Sequence, residues 1–219
     1  MDTIGEYLKR AHPDLSKEKV GTQYETYKNE GRMKSYQLFE KIFNPKKDLI
    51  YYPCSASDLS PTATFGEKTV IHVEQTKGYV DALKAKGLKA EQADANNFNP
   101  GPVDILIMHS PEMSPEIPSS YVNEGGFILC DNRHATADYL NNHLKNKFKL
   151  LGVIKSLEDD IKLDTENLQD YFKDTEDAER IKRSRDSYEE LGLHADLADI
   201  PREKEASGLD IFVFQKIKN

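Results

Sequence analysis

The sequence predicts an α/β fold in which helices cover both faces of a doubly wound, mostly parallel sheet. Short apolar segments alternate along the chain with segments of helical periodicity, which is the pattern of parallel strands joined by helices. Residues 103–110 and 125–132 are apolar almost throughout, as strands are when both of their faces are buried. Polar residues end successive predicted strands, and open parallel sheets bind their ligands at these carboxyl ends.

The predicted elements follow one another in a regular order. Residues 21–43 are expected to form a helix because apolar side chains recur at intervals of three and four, and Asn44 with Pro45 ends it. Further helices are predicted at 78–87, where Gly87 closes the helix, and at about 135–147. Strands are predicted at residues 48–53, 69–75, 88–94, 103–110, 125–132, 148–156 and 209–217.

Charge is distributed unevenly over the 219 residues. The net charge is -8, but residues 156–205 alone hold 17 acidic and 8 basic residues, so the remainder is close to neutral. This acidic segment is expected to form one or two amphipathic helices with charged outer faces. The negative net charge weighs against nucleic acid as a partner, because sequence-independent binding needs a positive face.

No targeting or membrane segment is predicted. Residues 1–10 lack the apolar core of a signal peptide, and no stretch approaches the roughly 20 apolar residues of a membrane span. Cys54 and Cys130 lie in or beside apolar segments, which favours buried thiols in a reducing compartment. We therefore expect a cytoplasmic protein without a membrane partner.

A loop of small residues follows the first predicted strand. It consists of Cys54, Ser55, Ala56 and Ser57, and it contains no glycine. Small side chains allow a ligand to approach the backbone closely, but unlike glycine they disfavour positive φ angles. The loop is therefore expected to face a ligand, with a backbone less free than glycine would allow.

Acidic residues end the second and third predicted strands. Glu74 can accept hydrogen bonds from both hydroxyls of a ribose, or it can cap the helix that begins near Thr76. Asp94 can meet an adenine amino group, or it can start the turn through Ala95 and Asn96. Because parallel strands end at the same edge of a sheet, these two carboxylates are expected near one another.

The element order and several motifs resemble the class I S-adenosylmethionine-dependent methyltransferases. The motifs are "VIHVEQ", "QADANNF", "VDILIMHSPE" and "GGFILCDN", within residues 46–155, and the strand from 209 completes the resemblance. It implies a seven-stranded sheet whose sixth and seventh strands are antiparallel, with the last inserted between the fifth and sixth. Residues 1–45 would be a helical extension, 46–155 the core, 156–207 an acidic helical insertion and 208–219 the closing strand.

The resemblance also implies a cofactor and its site. S-adenosylmethionine would bind with its methionine part against Cys54, Ser55, Ala56 and Ser57, where the family usually has spaced glycines. Asp58 would hydrogen-bond the cofactor's amino group or cap the following turn. Glu74 would hold the ribose and Asp94 the adenine.

The end of the fourth strand offers two further interpretations. His109 could remove a proton from the methyl acceptor, or it could be a hydrogen-bonded histidine at a strand end. In the catechol-type members, an Asp-Asn pair and a fourth-strand aspartate hold a divalent metal. Asp131 and Asn132 match that pair, but His109 replaces the aspartate and suits magnesium poorly. The prediction is therefore that no metal binds and that Asp131 belongs to a turn or cap.

Three functions are compatible with these residues. The first is methyl transfer to a small molecule or a protein side chain; the Asn/Asp-Pro-Pro-aromatic signature of amino-methyltransferases is absent, which weighs against base amines. The second is a non-catalytic binding or assembly module of the same fold, supported by the glycine-free loop. The third is a nicotinamide-dependent enzyme, because Glu74 would serve that cofactor as well, although the chain lacks G-x-G-x-x-G.

Overall fold

A computed structural model describes residues 24–109, 111, 113–132, 134–157, 160–172 and 210–218. Five helices alternate with the strands in this part of the chain: α1 (Glu30–Phe43), α2 (Ser60–Phe65), α3 (Lys77–Ala85), α4 (Glu116–Ser120) and α5 (Thr136–His143). The strands are β1 (Ile50–Pro53), β2 (Val70–Glu74), β3 (Ala90–Gln92), β4 (Val103–Met108), β5 (Val122–Cys130), β6 (Phe148–Leu157), β7 (Asp160–Asp164) and β8 (Ile211–Lys216). A 3₁₀ helix spans Leu168–Tyr171.

The strands form one mixed sheet in the order β3-β2-β1-β4-β5-β8-β6-β7. The first five strands are mutually parallel, and β8 runs antiparallel to both β5 and β6. The predicted mostly parallel α/β sheet is therefore confirmed, as is the insertion of the last strand between the fifth and sixth. Strand order reverses at β1 and β4, where an open sheet forms a crevice.

Helices pack on both faces of the sheet, as predicted. Strand β4 shows why its sequence is apolar throughout: Ile105 and Ile107 belong to one core cluster, and Leu106 and Met108 belong to the other. Helix α1 covers the first cluster with Tyr36 and Phe39, and α5 covers the second with Ala137 and Leu140. All eight of these side chains are fully buried.

The sheet has eight strands where seven were predicted. The extra strand, β7, pairs with β6 as an antiparallel hairpin and lies inside the segment 156–207 that was expected to be helical. Apolar Ile161 and Leu163 alternate there with Asp160, Lys162 and Asp164, which is the two-residue period of a strand. The high charge of the segment hides this short alternation. Residues 158–159 and 173–207 of the predicted insertion lie outside the described residues.

Helix α1 begins at Glu30, nine residues later than predicted. Residues 24–29 are not helical, and the Asn29 side chain accepts the N–H of Arg32 at 3.0 Å, which caps the helix. The tyrosines that suggested an earlier start, Tyr24 and Tyr27, are exposed in this non-helical segment. The predicted end is confirmed, because Asn44 adopts a left-handed conformation with φ of 42°.

Two short helices were not predicted. Helix α2 begins with Ser60 and Pro61, and proline is favoured in the first turn because that position lacks a backbone hydrogen bond. Helix α4 forms within a proline-rich part of the chain, with Pro115 directly before it and Pro118 inside it. At six and five residues, both are too short for helical periodicity to appear in the sequence. None of the helices in the described ranges has the length and apolar character needed to cross a membrane.

Candidate active site

A cavity of about 450 Å³ lies at the carboxyl ends of β1, β2, β3 and β4. Of the residues predicted to form the site, Cys54, Ser55, Ala56, Glu74, Asp94 and His109 line it. The structure thus brings together residues that are up to 55 positions apart in sequence. Ser57 and Asp58 are not among its lining residues.

The loop after β1 contains two residues with positive φ angles, although it contains no glycine. Cys54 and Ala56 have φ angles of 51° and 46°, in the left-handed region. This conformation costs a non-glycine residue roughly 1–2 kcal/mol. The side chains end at Cβ or one atom beyond it, so the backbone still lies at the cavity wall. Strain in a cavity loop is a common feature of ligand sites.

Glu74 links this loop to the helix that follows β2. Its Oε2 accepts the N–H of Ala56 at 3.0 Å, and its Oε1 accepts the N–H of Thr76 at 3.1 Å. The carboxylate therefore compensates for part of the strain at Ala56 and also caps the start of α3. Each carboxylate oxygen retains acceptor capacity after one hydrogen bond, so both can still bind a hydroxyl of a ligand.

Asp94 forms a turn at the adjacent strand end. Its Oδ1 accepts the N–H of Asn96 at 2.9 Å, and its Oδ2 accepts the Asn97 side-chain amide at 2.9 Å. The turn leaves Asp94 half-buried at the cavity wall. The side chain is fixed in one orientation by these bonds, as a residue that contacts a ligand must be.

Asp58 is a buried structural carboxylate beneath the loop. It has no exposed surface, and its Oδ2 accepts Arg32 Nη1 at 2.9 Å and the Tyr52 hydroxyl at 3.1 Å. Its Oδ1 accepts the N–H of Ser60 at 2.8 Å, so Asp58 caps the start of α2. The Ser57 hydroxyl donates to the carbonyl of Glu25 at 2.7 Å. The Ser57 side chain thus contacts the segment before α1, and the Asp58 side chain contacts α1 itself.

His109 lies at the end of β4 and is 4% exposed. Neither ring nitrogen has a hydrogen-bond partner among the described residues. Its Nδ1 is 3.7 Å from Asp131 Oδ2, which is beyond hydrogen-bond distance. The rings of Tyr36 and Tyr52 lie 5.9 Å and 6.4 Å from the imidazole, so His109 packs among aromatic rings and the Asp131 carboxylate, and it also lines the cavity.

Asn132, which matches the asparagine of the metal-binding Asp-Asn pair, caps helix α5. Its Nδ2 donates to Asp138 Oδ2 at 3.1 Å, and its Oδ1 accepts the N–H of Asp138 at 3.1 Å. Both ends of the amide are thus used within the cap. Over the described part of the chain, His, Cys, Asp and Glu form no group of three that could hold a metal ion.

The segment before α1 supplies cavity residues that the sequence did not indicate, namely Tyr27 and, from the first turn of α1, Arg32. Tyr27 is fixed to the loop because its N–H donates to the carbonyl of Ser57 at 3.1 Å and its carbonyl accepts the N–H of Leu59 at 2.8 Å. The apolar periodicity predicted a helix that includes both residues. No pattern in the neighbouring sequence indicates that they lie at the cavity, beside the carboxyl ends of the strands.

The same segment packs on helix α3. The Tyr24 ring meets Tyr79, another cavity residue, edge to face with centroids 4.7 Å apart. It lies directly over Gly78, where a Cβ atom would be 2.0 Å from the Tyr24 ring. The glycine at the start of α3 therefore makes room for the segment that covers the cavity.

Comparison with known proteins finds similarity only at the level of structure. No protein-family model matches the chain, and no curated protein matches it. The N-methyltransferase NodS from Bradyrhizobium japonicum, solved with S-adenosyl-L-homocysteine, is 8% identical with a TM-score of 0.47 over 96% of this chain and 98% of its own. An S-adenosylmethionine-dependent methyltransferase from Clostridium acetobutylicum is 14% identical with a TM-score of 0.44 over 97% and 99%.

A tRNA (m1A58) methyltransferase from Aquifex aeolicus, TrmI, is also similar, at 12% identity with a TM-score of 0.43 over 85% of this chain and 69% of its own. The comparisons give no support to the expectation that nucleic acid is no partner, which stays a prediction. At such identities and TM-scores the likeness carries no argument about activity. The strand order itself defines a class I methyltransferase-like α/β fold, as the sequence resemblance implied.

Proposed function

We propose that the chain is an S-adenosylmethionine-dependent methyltransferase whose acceptor is a small molecule or a protein side chain. The observation that carries the proposal is the joint placement of Glu74 and Asp94 on one cavity, together with the tightly turned loop after β1 that Glu74 contacts. Acidic residues at the ends of adjacent parallel strands suit the ribose and base of a nucleoside. A volume of about 450 Å³ lies in the usual range for small-molecule sites.

The residues present fit that cofactor. Glu74 has acceptor capacity for the ribose hydroxyls, and Asp94, which lines the same cavity, would accept the adenine amino group. The backbone at Cys54, Ser55 and Ala56 would lie against the methionine part. When bound, S-adenosylmethionine supplies a methyl group made electrophilic by its sulfonium. The work of this chain is then to hold donor and acceptor in line, which provides most of the acceleration in such reactions.

His109 is the proposed general base. A histidine at the end of β4 would accept the proton that the acceptor's hydroxyl or amine loses as it is methylated. Support comes from its burial at the cavity and from the absence of hydrogen-bond partners for its ring nitrogens among the described residues. A ring nitrogen committed to a structural hydrogen bond could not take this proton.

Titration calorimetry on the purified chain tests the proposal. We expect heat of binding with S-adenosylmethionine and with S-adenosylhomocysteine, and no change in fluorescence on titration with reduced nicotinamide dinucleotide. A folded sample that gives no heat with either sulfur ligand at millimolar concentration would contradict the methyltransferase proposal. Binding of the reduced nicotinamide cofactor instead would favour the hypothesis of a nicotinamide-dependent enzyme.

A non-catalytic binding module is the second candidate, and one observation favours it. Both Glu74 oxygens already accept backbone N–H groups, Oε2 from Ala56 and Oε1 from Thr76. The loop that contains Ala56 has positive φ angles at two non-glycine residues. In this reading the carboxylate only stabilises the loop. Exchange of His109 for Asn distinguishes the candidates: a methyltransferase should retain cofactor affinity and lose methyl transfer by a factor of about 100 or more.

A further inference from the structure

The cavity has an end beside β4 that the proposed cofactor-binding residues do not use. Arg32, Tyr52 and His109 line the cavity, as Glu74 and Asp94 do. Tyr52 and His109 come from β1 and the end of β4, and the two acids come from β2 and β3. Because β2 and β3 lie on one side of β1 in the sheet and β4 lies on the other, His109 marks one end of the cavity and the two acids mark the other.

Arg32 retains hydrogen-bond donors for a ligand. A guanidinium has five N–H donors, and Asp58 Oδ2 accepts from Nη1 at 2.9 Å. The Nε of Arg32 is buried and has no hydrogen-bond partner among the described residues. Asp58 also accepts from Tyr52 and Ser60, so it anchors the guanidinium without being able to accept from all of its N–H groups.

Two neighbouring side chains are also without partners in the described ranges. The Tyr36 hydroxyl and both nitrogens of His109 are buried and make no hydrogen bond there. Burial raises the pKa of both Tyr36 and Tyr52 well above the usual value, and the nearby Asp58 raises it further. The hydroxyls therefore remain protonated. Buried polar groups without partners are rare, and of these residues Arg32 and His109 line the cavity, where a ligand can satisfy them, whereas Tyr36 packs behind them.

We propose that this end of the cavity binds the methyl acceptor through an anionic oxygen, a carboxylate or a phosphate, that accepts hydrogen bonds from Arg32. This inference rests on the proposed function and specifies its substrate class as acidic molecules. The planar fork of arginine matches both kinds of oxyanion. With its acid on Arg32, a substrate would present its hydroxyl or amine towards His109, and that group's proton would pass to the imidazole.

Matched pairs of charged and neutral probes test the substrate class. Benzoate, benzamide and phenyl phosphate are titrated into the full chain, with and without saturating S-adenosylhomocysteine. Binding is followed by calorimetry and by the His109 imidazole signal in NMR spectra, assigned by comparison with His109→Asn. We expect benzoate or phenyl phosphate to shift the His109 signal and to bind at least tenfold more tightly than benzamide. The stronger of the two anions identifies the acid as carboxylate or phosphate.

Three variants test the role of Arg32. Arg32→Lys keeps the charge beside Asp58 but loses the fork, and Arg32→Gln removes the charge. Lys34→Gln removes the same charge from an exposed position on the same helix and serves as the control. Both Arg32 variants should reduce the preference for the anion to less than threefold, and Lys34→Gln should leave it unchanged. Circular dichroism melting confirms that each variant is folded, and Arg32→Lys carries the test if Arg32→Gln does not fold.

The two proposals fail in distinguishable ways. If S-adenosylhomocysteine binds but benzoate, phenyl phosphate and benzamide bind equally or not at all, the acidic acceptor is excluded and the methyltransferase proposal stands. If an anion binds through Arg32 and neither sulfur ligand binds, the anion site is supported and the proposed reaction fails. Anion binding that survives both Arg32 exchanges would also overturn the inference.

Discussion

Glu74 accepts the N–H of Ala56 at 3.0 Å, and this hydrogen bond joins the end of β2 to the strained loop after β1. The same carboxylate accepts the N–H of Thr76 through its other oxygen. Two walls of the cavity therefore depend on a single side chain. Its loss should disturb the position of the loop as well as remove a ligand contact.

We predict that Glu74→Ala weakens binding of S-adenosylmethionine by about 1–3 kcal/mol, because the ribose hydroxyls lose their acceptor. Titration calorimetry measures the change. Glu91→Ala, at an exposed position on β3, is the matched control and should leave the affinity unchanged. An affinity unaltered by Glu74→Ala would remove Glu74 from the cofactor site.

Ala56→Gly is predicted to stabilise the protein by up to about 1 kcal/mol. Glycine adopts φ of 46° without steric cost, although the gain is reduced because glycine also makes the unfolded chain more flexible. Ala63→Gly, at an exposed position in α2, provides the contrast and should destabilise by about 1 kcal/mol. Chemical denaturation measures both. A loss of stability in Ala56→Gly would mean that strain at Ala56 is not significant.

Asp58→Asn is predicted to lower the free energy of unfolding by about 3 kcal/mol, because it leaves Arg32 facing a neutral group in a buried site. Asp81→Asn tests the opposite case, since Asp81 pairs with Lys77 on an exposed helix surface. That change should cost less than about 0.5 kcal/mol. Urea denaturation of both variants checks the difference, and equal effects would refute the structural role assigned to Asp58.

Stability is predicted to fall in mild acid because of His72. Burial lowers the pKa of His72 to about 4, with Asp58 opposing the shift, and its Nε2 lies 2.8 Å from the Thr62 hydroxyl. The unfolded chain binds the proton more tightly than the folded one, so stability is retained above pH 6.5 and lost as the pH falls towards 4. The full effect is roughly 3 kcal/mol.

His72→Gln provides the measurement for that prediction. The variant loses the packing of the imidazole at every pH, and its glutamine side chain does not bind a proton between pH 7 and pH 4. The difference in unfolding free energy between wild type and variant should therefore shrink between pH 7 and pH 4.5. A difference that stays constant over this range would show that His72 does not contribute to acid sensitivity.

Local sequence patterns predicted most of the sheet, because each buried strand carries its own apolar signature. The β4 sequence is apolar at every position except Asp104, and both faces of the strand are buried as expected. The start of α1 could not be predicted in the same way. Tyr24 and Tyr27 fit a helical period, but their rings pack against α3 and the cavity, which depends on contacts distant in sequence.

The candidate site was only partly predictable for the same reason. Strand ends identify Glu74, Asp94 and His109, because the geometry of a parallel sheet brings such positions together. The role of Asp58 is decided by Arg32, which is 26 residues away and joins it only after α1 has packed on the sheet. No local signal marks an arginine in the first turn of a helix as a cavity residue.

The position of β8 has a consequence for how the protein matures. Residues 211–216 form the only link between β5 and β6 in the described sheet, although they follow all the other described strands in sequence. Without this strand, the sheet would divide into two fragments, β3-β2-β1-β4-β5 and β6-β7, each with an additional unpaired edge. Such edges are open to pairing with other chains until β8 closes the gap.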